Sequence, residues 1–244
     1  MTATSAAVVG STGLVGSHIL SQLLAHPQIS TVATLLRRSP PQPIADPSNK
    51  LRTTVSPSNE TWASELPGIL SSTSSHILFS GLGTTLAAAG SAEARRKVDF
   101  DLNLAVAKAA KAAGVTTYVL ISSGGAHAQS MVGYAAMKGE LEDEVSALGF
   151  EKCVLLRPGL IVGERESKRT LEQPLHSVAN FMGWLSPAMK NCWAQDAGTI
   201  ARAAVRAALE EDVWTGRQTK EGKNGGKVWV MGQAEIVELG LEKK

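Results

Sequence analysis

The stretch AAVVGSTGLVG, residues 6–16, decides the predicted fold. Its first four residues are small and apolar and predict a short buried strand, and Gly10, Gly13 and Gly16 follow at the spacing GxxGxxG. Gly10 would let the chain turn sharply off the strand, Gly13 would let backbone approach a pyrophosphate, and Gly16 would let a helix pack close to the sheet. Because an apolar, helix-like run over 17–24 comes next, a dinucleotide phosphate is expected at the N-terminus of that helix.

The composition narrows the class of protein. A chain of 244 residues is long enough for one α/β domain with a substrate-binding addition. The 24 Lys and Arg against 22 Asp and Glu leave a net charge of +2 without a basic tail, so no nucleic-acid partner is expected. No apolar stretch approaches the roughly 20 residues that span a bilayer. The N-terminus lacks signal-peptide and transit-peptide features. An intracellular, cytoplasmic protein is expected, and peripheral association with a membrane surface stays open.

Cysteine and histidine spacing does not predict a metal site. Cys153 and Cys192 lie far apart and match no zinc or CxxC pattern, which favours reduced, structural thiols. The five histidines share no ligand spacing. His127 lies near the catalytic motif described below, either as a substrate contact or as a solvated loop residue.

A pair of arginines indicates which dinucleotide is bound. Residues 31–36, TVATLL, predict a second strand, and Arg37 and Arg38 follow it directly. In a dinucleotide-binding fold the end of this strand faces the adenosine ribose, where an acidic residue binds the free hydroxyls and an arginine accepts a 2′-phosphate. Two arginines without an acid predict NADP(H) as the cofactor. The alternative is that both are solvated charges at a strand end.

Small residues follow another predicted strand, HILFS over 76–80. Leu82 and Gly83 come after it, and small residues there allow a cofactor to lie against the backbone at the carboxyl edge of a parallel sheet. The helix predicted over 93–113 carries Asn103 among apolar neighbours. Asn103 is either a satisfied core polar group or part of the cofactor site.

The motif that carries the chemistry begins at the next predicted strand. This strand, VTTYVLISS over 115–123, ends in Ser122 and Ser123. Tyr134 and Lys138 come later at an (i, i+4) spacing, which puts both side chains on one helix face. A phenol with an unperturbed pKa near 10 is a poor acid or base at neutrality, and a neighbouring ammonium favours its phenolate. Tyr134 can then exchange a proton with a substrate oxygen held by a serine hydroxyl, while hydride moves to or from nicotinamide.

These elements predict an α/β fold: a doubly wound Rossmann domain with a mainly parallel sheet of about seven strands and a C-terminal substrate-side cap. The chain is predicted as a single domain, 1–244, with a cofactor-binding core over 1–160 and substrate-side elements and the last strand over 161–244. The remaining predicted elements are strands over 51–55, 153–156 and 227–231, helices over 60–66 and 197–210, and a hairpin or loop over 220–226.

An apolar and aromatic segment over 163–189 includes Phe181, Trp184 and Met189. It either lines a pocket for a hydrophobic substrate, meets a membrane or partner, or belongs to the core.

Eight motifs spread over nearly the whole chain carry a family resemblance. They are GSTGLVG (10–16), LLRR (35–38), GLGTT (81–85), VDFDLN (98–103), LISSGGA (120–126), YAAMKGE (134–140), LRPGLIVGERES (156–167) and WAQDAGTIARAAV (193–205). With them the sequence resembles the atypical branch of the short-chain dehydrogenase/reductase superfamily. More narrowly, it looks like the fungal relatives of the human Tat-interacting oxidoreductase-like protein. That group implies peripheral association with the mitochondrial outer membrane.

The resemblance implies roles for individual residues. Tyr134 and Lys138 would be the proton-transfer pair, and Ser122 or Ser123 would bind the substrate oxygen. Lys138 would also hold the nicotinamide ribose hydroxyls. The cofactor would further contact Gly10, Thr12, Gly13, Leu14, Val15, Arg37, Arg38, Leu82, Gly83, Pro158 and Gly159. The chain has Gly124 at the third position of a serine triplet common in the family, so Ser123 is favoured as the working hydroxyl.

The leading interpretation is an NADP(H)-dependent oxidoreductase that acts on a small, hydrophobic carbonyl compound or alcohol. One alternative is an NADPH-binding sensor or interaction protein with little turnover, and another is a non-redox isomerase or cyclase on the same scaffold. The joint presence of Ser123, Tyr134 and Lys138 favours the enzyme, because a retired site is free to lose any of them. The fold by itself does not separate these functions.

Overall fold

The computed structural model of the protein describes residues 4–162 and 194–241. Its main sheet has eight strands in the order β3-β2-β1-β4-β5-β6-β10-β9, and a separate parallel pair joins β7 to β8. The strands are β1 (Thr4–Val9), β2 (Ile29–Leu36), β3 (Leu51–Val55), β4 (Ile77–Ser80), β5 (Thr117–Ile121), β6 (Lys152–Leu156), β7 (Leu160–Val162), β8 (Ala194–Asp196), β9 (Lys220–Glu221) and β10 (Lys227–Met231). In the main sheet β9 alone pairs antiparallel. The mainly parallel Rossmann sheet is confirmed, with eight strands where about seven were predicted.

Helices cover both faces of the sheet. They are α1 (Leu14–Ala25), α2 (Trp62–Thr73), α3 (Leu86–Ala89), α4 (Ala92–Arg96), a π-helical stretch (Lys97–Leu102), α5 (Asn103–Ala112), α6 (Gly133–Ser146), α7 (Ala197–Leu209) and α8 (Gln233–Gly240). The apolar side chains of α1, α7 and α8 pack on one face, and those of α2, α5 and α6 pack on the other. Because both faces are covered, the central strands do not alternate between apolar and polar residues. The buried parts of β1 and β4, for example, are mostly continuous apolar runs.

Helix α2 is longer than its predicted extent of 60–66. It begins at Trp62 and continues through Pro67 to Thr73. Trp62, Leu66 and Leu70 on its inner face are all nearly inaccessible to solvent, so burial of apolar surface on both sides of Pro67 compensates for the backbone hydrogen bond that proline cannot make.

The helix predicted over 93–113 is also different. It is divided into α4, the π-helical stretch and α5. The polar side chains of Asp99 and Asn103, four residues apart and therefore on one face, both lie in the interior, where they are 2% and 0% exposed. Such π segments are rare and frequently occur at functional sites. The helical spacing of apolar residues predicted a helix here but not the π-helical stretch within it.

Residues 163–193 of the predicted substrate-side part, which include the aromatic segment over 163–189, lie outside the described residues. The division of the chain near residue 160 therefore stays a prediction. Within the described residues, no helix combines the length and the apolar content that a membrane-spanning helix requires.

Candidate functional site

The carboxyl ends of five neighbouring strands form one edge of the sheet. Arg37, Gly10, Gly81, Ser122 and Arg157 are the first residues after β2, β1, β4, β5 and β6, which lie side by side in that order. Four strand spacings of about 4.8 Å give an edge of roughly 19 Å, long enough for an extended dinucleotide. The strand order reverses between β1 and β4, which is the point where open α/β sheets bind ligands.

The turn from β1 into α1 requires glycine. Gly10 has φ +76°, a conformation that L side chains rarely adopt, and a Cβ atom there would lie 2.6 Å from the carbonyl carbon and oxygen of Gly81. A Cβ atom on Gly16 would overlap the carbonyl oxygen of Gly10. The Gly13 amide donates a hydrogen bond to that same oxygen over 2.9 Å. The sharp turn predicted at Gly10 and the close helix packing predicted at Gly16 are therefore both present.

The N-terminus of α1 fits a phosphate. Its N-cap, Gly13, offers no side-chain cap, and the first turn contains no acidic residue. The amide groups from Leu14 onward are thus without the acceptors that other helix starts find in Ser, Thr or Asp side chains. Thr12 is exposed, Leu14 is half-buried and Val15 is buried. The backbone amides, together with the helix dipole, suit the pyrophosphate of a dinucleotide.

Arg37 and Arg38 are exposed beside this turn, and within the part of the chain that the structure describes neither guanidinium forms an ion pair. Thr34, in β2, hydrogen-bonds both β1 and the turn that follows it. Its hydroxyl donates to the Val8 carbonyl over 3.0 Å and accepts from the Ser11 hydroxyl over 2.5 Å. Both arginines thus lie exposed at the carboxyl end of a strand whose position next to the turn is fixed.

The loop after β4 is held by hydrogen bonds to Asp99 in the π-helical stretch and to Asn103 at the start of α5. The Asn103 amide oxygen accepts a hydrogen bond from the Ser80 hydroxyl over 2.6 Å, and its nitrogen donates to the Leu82 carbonyl over 3.4 Å. The Thr84 amide donates to Asp99 Oδ1 over 2.7 Å. These contacts favour the core alternative for Asn103, which holds the segment carrying Leu82 and Gly83 at the sheet edge.

The two serines after β5 have different partners. Ser122 is buried and its hydroxyl donates to Glu142 Oε1. Glu142 also accepts from Arg157, whose Nε lies 3.1 and 3.0 Å from the two carboxylate oxygens. Ser123 is half-buried, and among the described residues its hydroxyl makes only a 3.4 Å contact with the Gly124 carbonyl. Of the two hydroxyls, that of Ser123 is the one free to meet a substrate oxygen.

Helix α6 carries Tyr134 and Lys138 to the same place. Lys138 is 3% exposed, and its Nζ donates to the Ile121 carbonyl over 3.3 Å, directly before the two serines. Burial lowers the pKa of Lys138, and the carboxylates of Asp99 and Glu142 oppose that effect. An ammonium has three donors, and among the described residues only this one is used. Tyr134 is half-buried, and the Arg95 guanidinium carbon lies 3.7 Å from its ring centroid.

The loop between β5 and α6 packs directly on the helix. A Cβ atom on Gly139 would overlap the backbone of His127 and Ala128. His127 is exposed, and its Nδ1 accepts from the Gln129 amide over 3.2 Å, in line with a solvated loop histidine. A side chain at Gly124 would lie 3.0 Å from the Pro158 carbonyl oxygen, so this position has little room for the family's third serine.

Pro158 and Gly159 follow β6, the last of the five strands whose carboxyl ends form this edge of the sheet. The Pro158 carbonyl accepts from the Gly124 amide over 2.6 Å. The Gly159 amide donates to Gln195 Oε1 over 3.2 Å, and Gln195 in turn donates to the Gln233 carbonyl over 2.8 Å. The ends of β5 and β6 are thus tied to each other and to the start of α8.

Sequence reasoning missed four charged residues here: Arg95, Asp99, Glu142 and Arg157. Glu142 stands four residues after Lys138 on the face that carries Tyr134 and Lys138, and Arg157 directly precedes Pro158. These spacings would have placed both near the motif. The contact of Arg95 with Tyr134 joins α4 to α6 and had no local signal in the sequence.

Comparisons with known proteins agree with this geometry. A family model described as NAD(P)H-binding matches residues 10–182. The chain belongs to this family. The protein fmp52-1, mitochondrial, of Aspergillus terreus is 47% identical over 241 residues, which cover 98% of this chain and 99% of that protein. This NAD(P)H-binding chain is therefore also a homologue of the fungal Fmp52 proteins, which are named mitochondrial.

Solved structures share the fold. UDP-glucose 4-epimerase from Thermotoga maritima, with UDP-glucose, superposes with a TM-score of 0.66 at 15% identity, over 98% of this chain and 84% of that chain. The enzyme WbmH of Bordetella bronchiseptica, in complex with NAD+, gives 0.62 at 16% identity, over 85% and 73%. At these identities the likeness is one of fold. The links to the human Tat-interacting protein and to the atypical branch stay predictions.

Proposed function

We propose that this NAD(P)H-binding protein is an NADP(H)-dependent oxidoreductase that reduces a small carbonyl compound or oxidises the corresponding alcohol. The observation that carries the proposal is the position of Lys138. This buried ammonium binds the Ile121 carbonyl immediately before Ser122 and Ser123, on the helix face that also carries Tyr134. This position supports the proposal that a proton donor, its cationic partner and a hydroxyl act together at the carboxyl edge of the sheet, where open α/β sheets bind ligands.

The roles follow from the donors that remain free. The Ser123 hydroxyl donates a hydrogen bond to the substrate oxygen and orients it. Tyr134 gives its phenolic proton to that oxygen during reduction and takes it back during oxidation. Lys138 stabilises the negative charge left on the phenol oxygen and uses its other donors for the ribose hydroxyls. NADPH, when bound, supplies the hydride that adds to the carbonyl carbon.

Support for NADP(H) over NAD(H) comes from the end of β2. Arg37 and Arg38 are exposed and free of ion pairs among the described residues, and no acidic side chain follows the strand. A guanidinium suits a phosphate through paired, charge-assisted hydrogen bonds.

The cellular setting is proposed on the relatives' names. Because the Fmp52 homologues are named mitochondrial, we propose that this protein is mitochondrial. The family resemblance of the sequence implies peripheral association with the outer membrane. Its partner there is a small molecule, and the apolar segment over 163–189 favours a hydrophobic one.

Tyr134→Phe tests the proton transfer. The variant loses one oxygen, so NADPH consumption in a small-molecule extract of the source cells should fall by about 10²-fold or more, with NADPH affinity nearly unchanged. Enzyme assay and fluorescence titration measure the two quantities. Unchanged consumption would remove Tyr134 from the mechanism. Tight NADPH binding without consumption by the wild type would favour the sensor or the non-redox isomerase.

Arg37→Ala tests the cofactor choice. The lost contact with the 2′-phosphate is worth about 1.5 to 3 kcal/mol, so NADPH affinity should fall by about tenfold or more while NADH affinity stays within about twofold. Equal losses for the two cofactors would contradict the NADP(H) assignment.

A further inference from the structure

Arg95 lies against the tyrosine that the proposed function uses. Its guanidinium carbon is 3.7 Å from the Tyr134 ring centroid, which is van der Waals contact with the ring face. The Arg95 side chain is 21% exposed, so it is largely enclosed and yet reachable from solvent. Helix α4 and the π turn after it bring this side chain across to α6.

Most of the donors of Arg95 are unused. Its Nε lies 3.4 Å from Asp99 Oδ2, at the long limit of a hydrogen bond. Within the described residues, the two terminal amino groups of Arg95 make no hydrogen bond. Guanidinium N–H groups form a planar fork, and a guanidinium stacked on an aromatic face keeps that fork free to bind a carboxylate through two hydrogen bonds.

The charges around Tyr134 do not balance. Arg95 and Lys138 are cationic, and Asp99 is the carboxylate that acts on both. Glu142 is engaged by Arg157 over 2.5 Å, and Arg96, the next arginine, is paired with Glu140 over 3.0 Å. Among the described residues, the charged groups around Tyr134 therefore carry one net positive charge, which a ligand with one negative charge would neutralise.

We infer that Arg95 is a specificity-determining residue that binds a carboxylate on the substrate, so that the substrate is a carbonyl compound or alcohol that also carries a carboxylate group. The fork of Arg95 holds the carboxylate, and the adjoining Tyr134 and Ser123 meet the carbonyl oxygen. This substrate class rests on the proposed function.

Equilibrium binding tests the inference without requiring turnover. Calorimetry on the NADP+-saturated protein compares para-formylbenzoate with its methyl ester, which keeps the shape and removes the charge. The wild type should bind the acid at least about tenfold more tightly, a factor that corresponds to about 1.4 kcal/mol. Arg95→Met should reduce the ratio to about one, and Arg95→Lys should keep part of it because the charge remains but the fork is lost.

Arg96→Met is the matched control, since it removes the same charge one residue along and should leave the ratio unchanged. Equal binding of acid and ester by the wild type, or a preference that survives Arg95→Met, would overturn the inference. Tighter binding of para-formylphenyl phosphate than of the carboxylate would overturn the carboxylate assignment. Failure of the proposed function has a different signature: the acid preference would persist while Tyr134-dependent turnover is absent.

Discussion

The two ends of the crevice are built by different physical means. At the proposed phosphate end, where β1 turns into α1, a side chain on Gly10 or Gly16 would collide with backbone. At the proposed proton-transfer end, around Tyr134 and Lys138, buried charges are arranged along α6. Lys138 is 3% exposed and Glu142 is 2% exposed. The first end is fixed by steric exclusion and the second by hydrogen bonds and ion pairs.

The difference explains what each end can tolerate. Steric exclusion acts through the backbone, so a single added methyl group disturbs strand, turn and helix together. When one partner of an ion pair is removed, the loss of stability is larger the more deeply the remaining charge is buried. The phosphate end should therefore be the less forgiving of the two in stability, and the proton-transfer end should be sensitive to pH.

Gly10→Ala should have the largest effect on stability. The left-handed conformation costs a non-glycine residue about 1–2 kcal/mol, and the new Cβ would also meet the Gly81 backbone at 2.6 Å. We expect a total loss of about 3 kcal/mol or more, which lowers Tm by roughly 6–12 °C in a chain of this size. Thermal denaturation measures the change.

Gly90→Ala is the control for that prediction. Gly90 has φ +84° but nothing within 4 Å of its Cβ position, so the variant should lose only the conformational part, about 1–2 kcal/mol. Equal losses at the two positions would show that steric exclusion does not distinguish the phosphate end.

Glu142→Ala should have an intermediate effect. It leaves the Ser122 hydroxyl and the Arg157 guanidinium without their carboxylate. Breaking a fully buried pair costs about 3–5 kcal/mol, but the Arg157 side chain is 31% exposed, so we expect about 2 kcal/mol in denaturant unfolding. Glu140→Ala breaks a pair in which both side chains are over 40% exposed and should cost about 0.5 kcal/mol or less. Similar losses for both variants would contradict a buried ionic arrangement.

Lys138→Met should have the smallest effect, and of opposite sign at neutral pH. Burial lowers the folded-state pKa of Lys138 below its unfolded value, so the ammonium destabilises the folded chain when it is charged. That cost is fully present below the lowered pKa and declines as pH rises through it toward about 10.4. The variant should unfold at a higher temperature than the wild type near pH 7, and the difference should narrow in alkaline buffer. A constant difference across this pH range would argue against the burial effect.

The phosphate end could be predicted from sequence because its signal is local. The glycine spacing, the strand before it and the helix after it stand within one short stretch, and the order of the remaining strands follows from alternating strands and helices. Tyr134 and Lys138 could be placed on one face because helix periodicity alone requires it.

The rest of the proton-transfer end depends on tertiary contacts. Arg157 meets Glu142 because β6 and α6 lie next to each other in the fold, and Arg95 contacts Tyr134 across two helices, α4 and α6, that are far apart in the sequence. Gly139 had the appearance of an ordinary helix residue, although a loop packs directly against it. The local sequence pattern carries no information about these contacts between distant parts of the chain.

Hydride transfer measured by isotope label tests the central claim most directly. Purified protein would be incubated with a small-molecule extract and NADPH deuterated at its hydride-donating carbon, and the products would be examined by mass spectrometry. The account predicts deuterium in an alcohol product with the wild type and a loss of about 10²-fold or more with Tyr134→Phe. Label that never reaches a product, or that reaches it equally in both proteins, would contradict a tyrosine-dependent reductase.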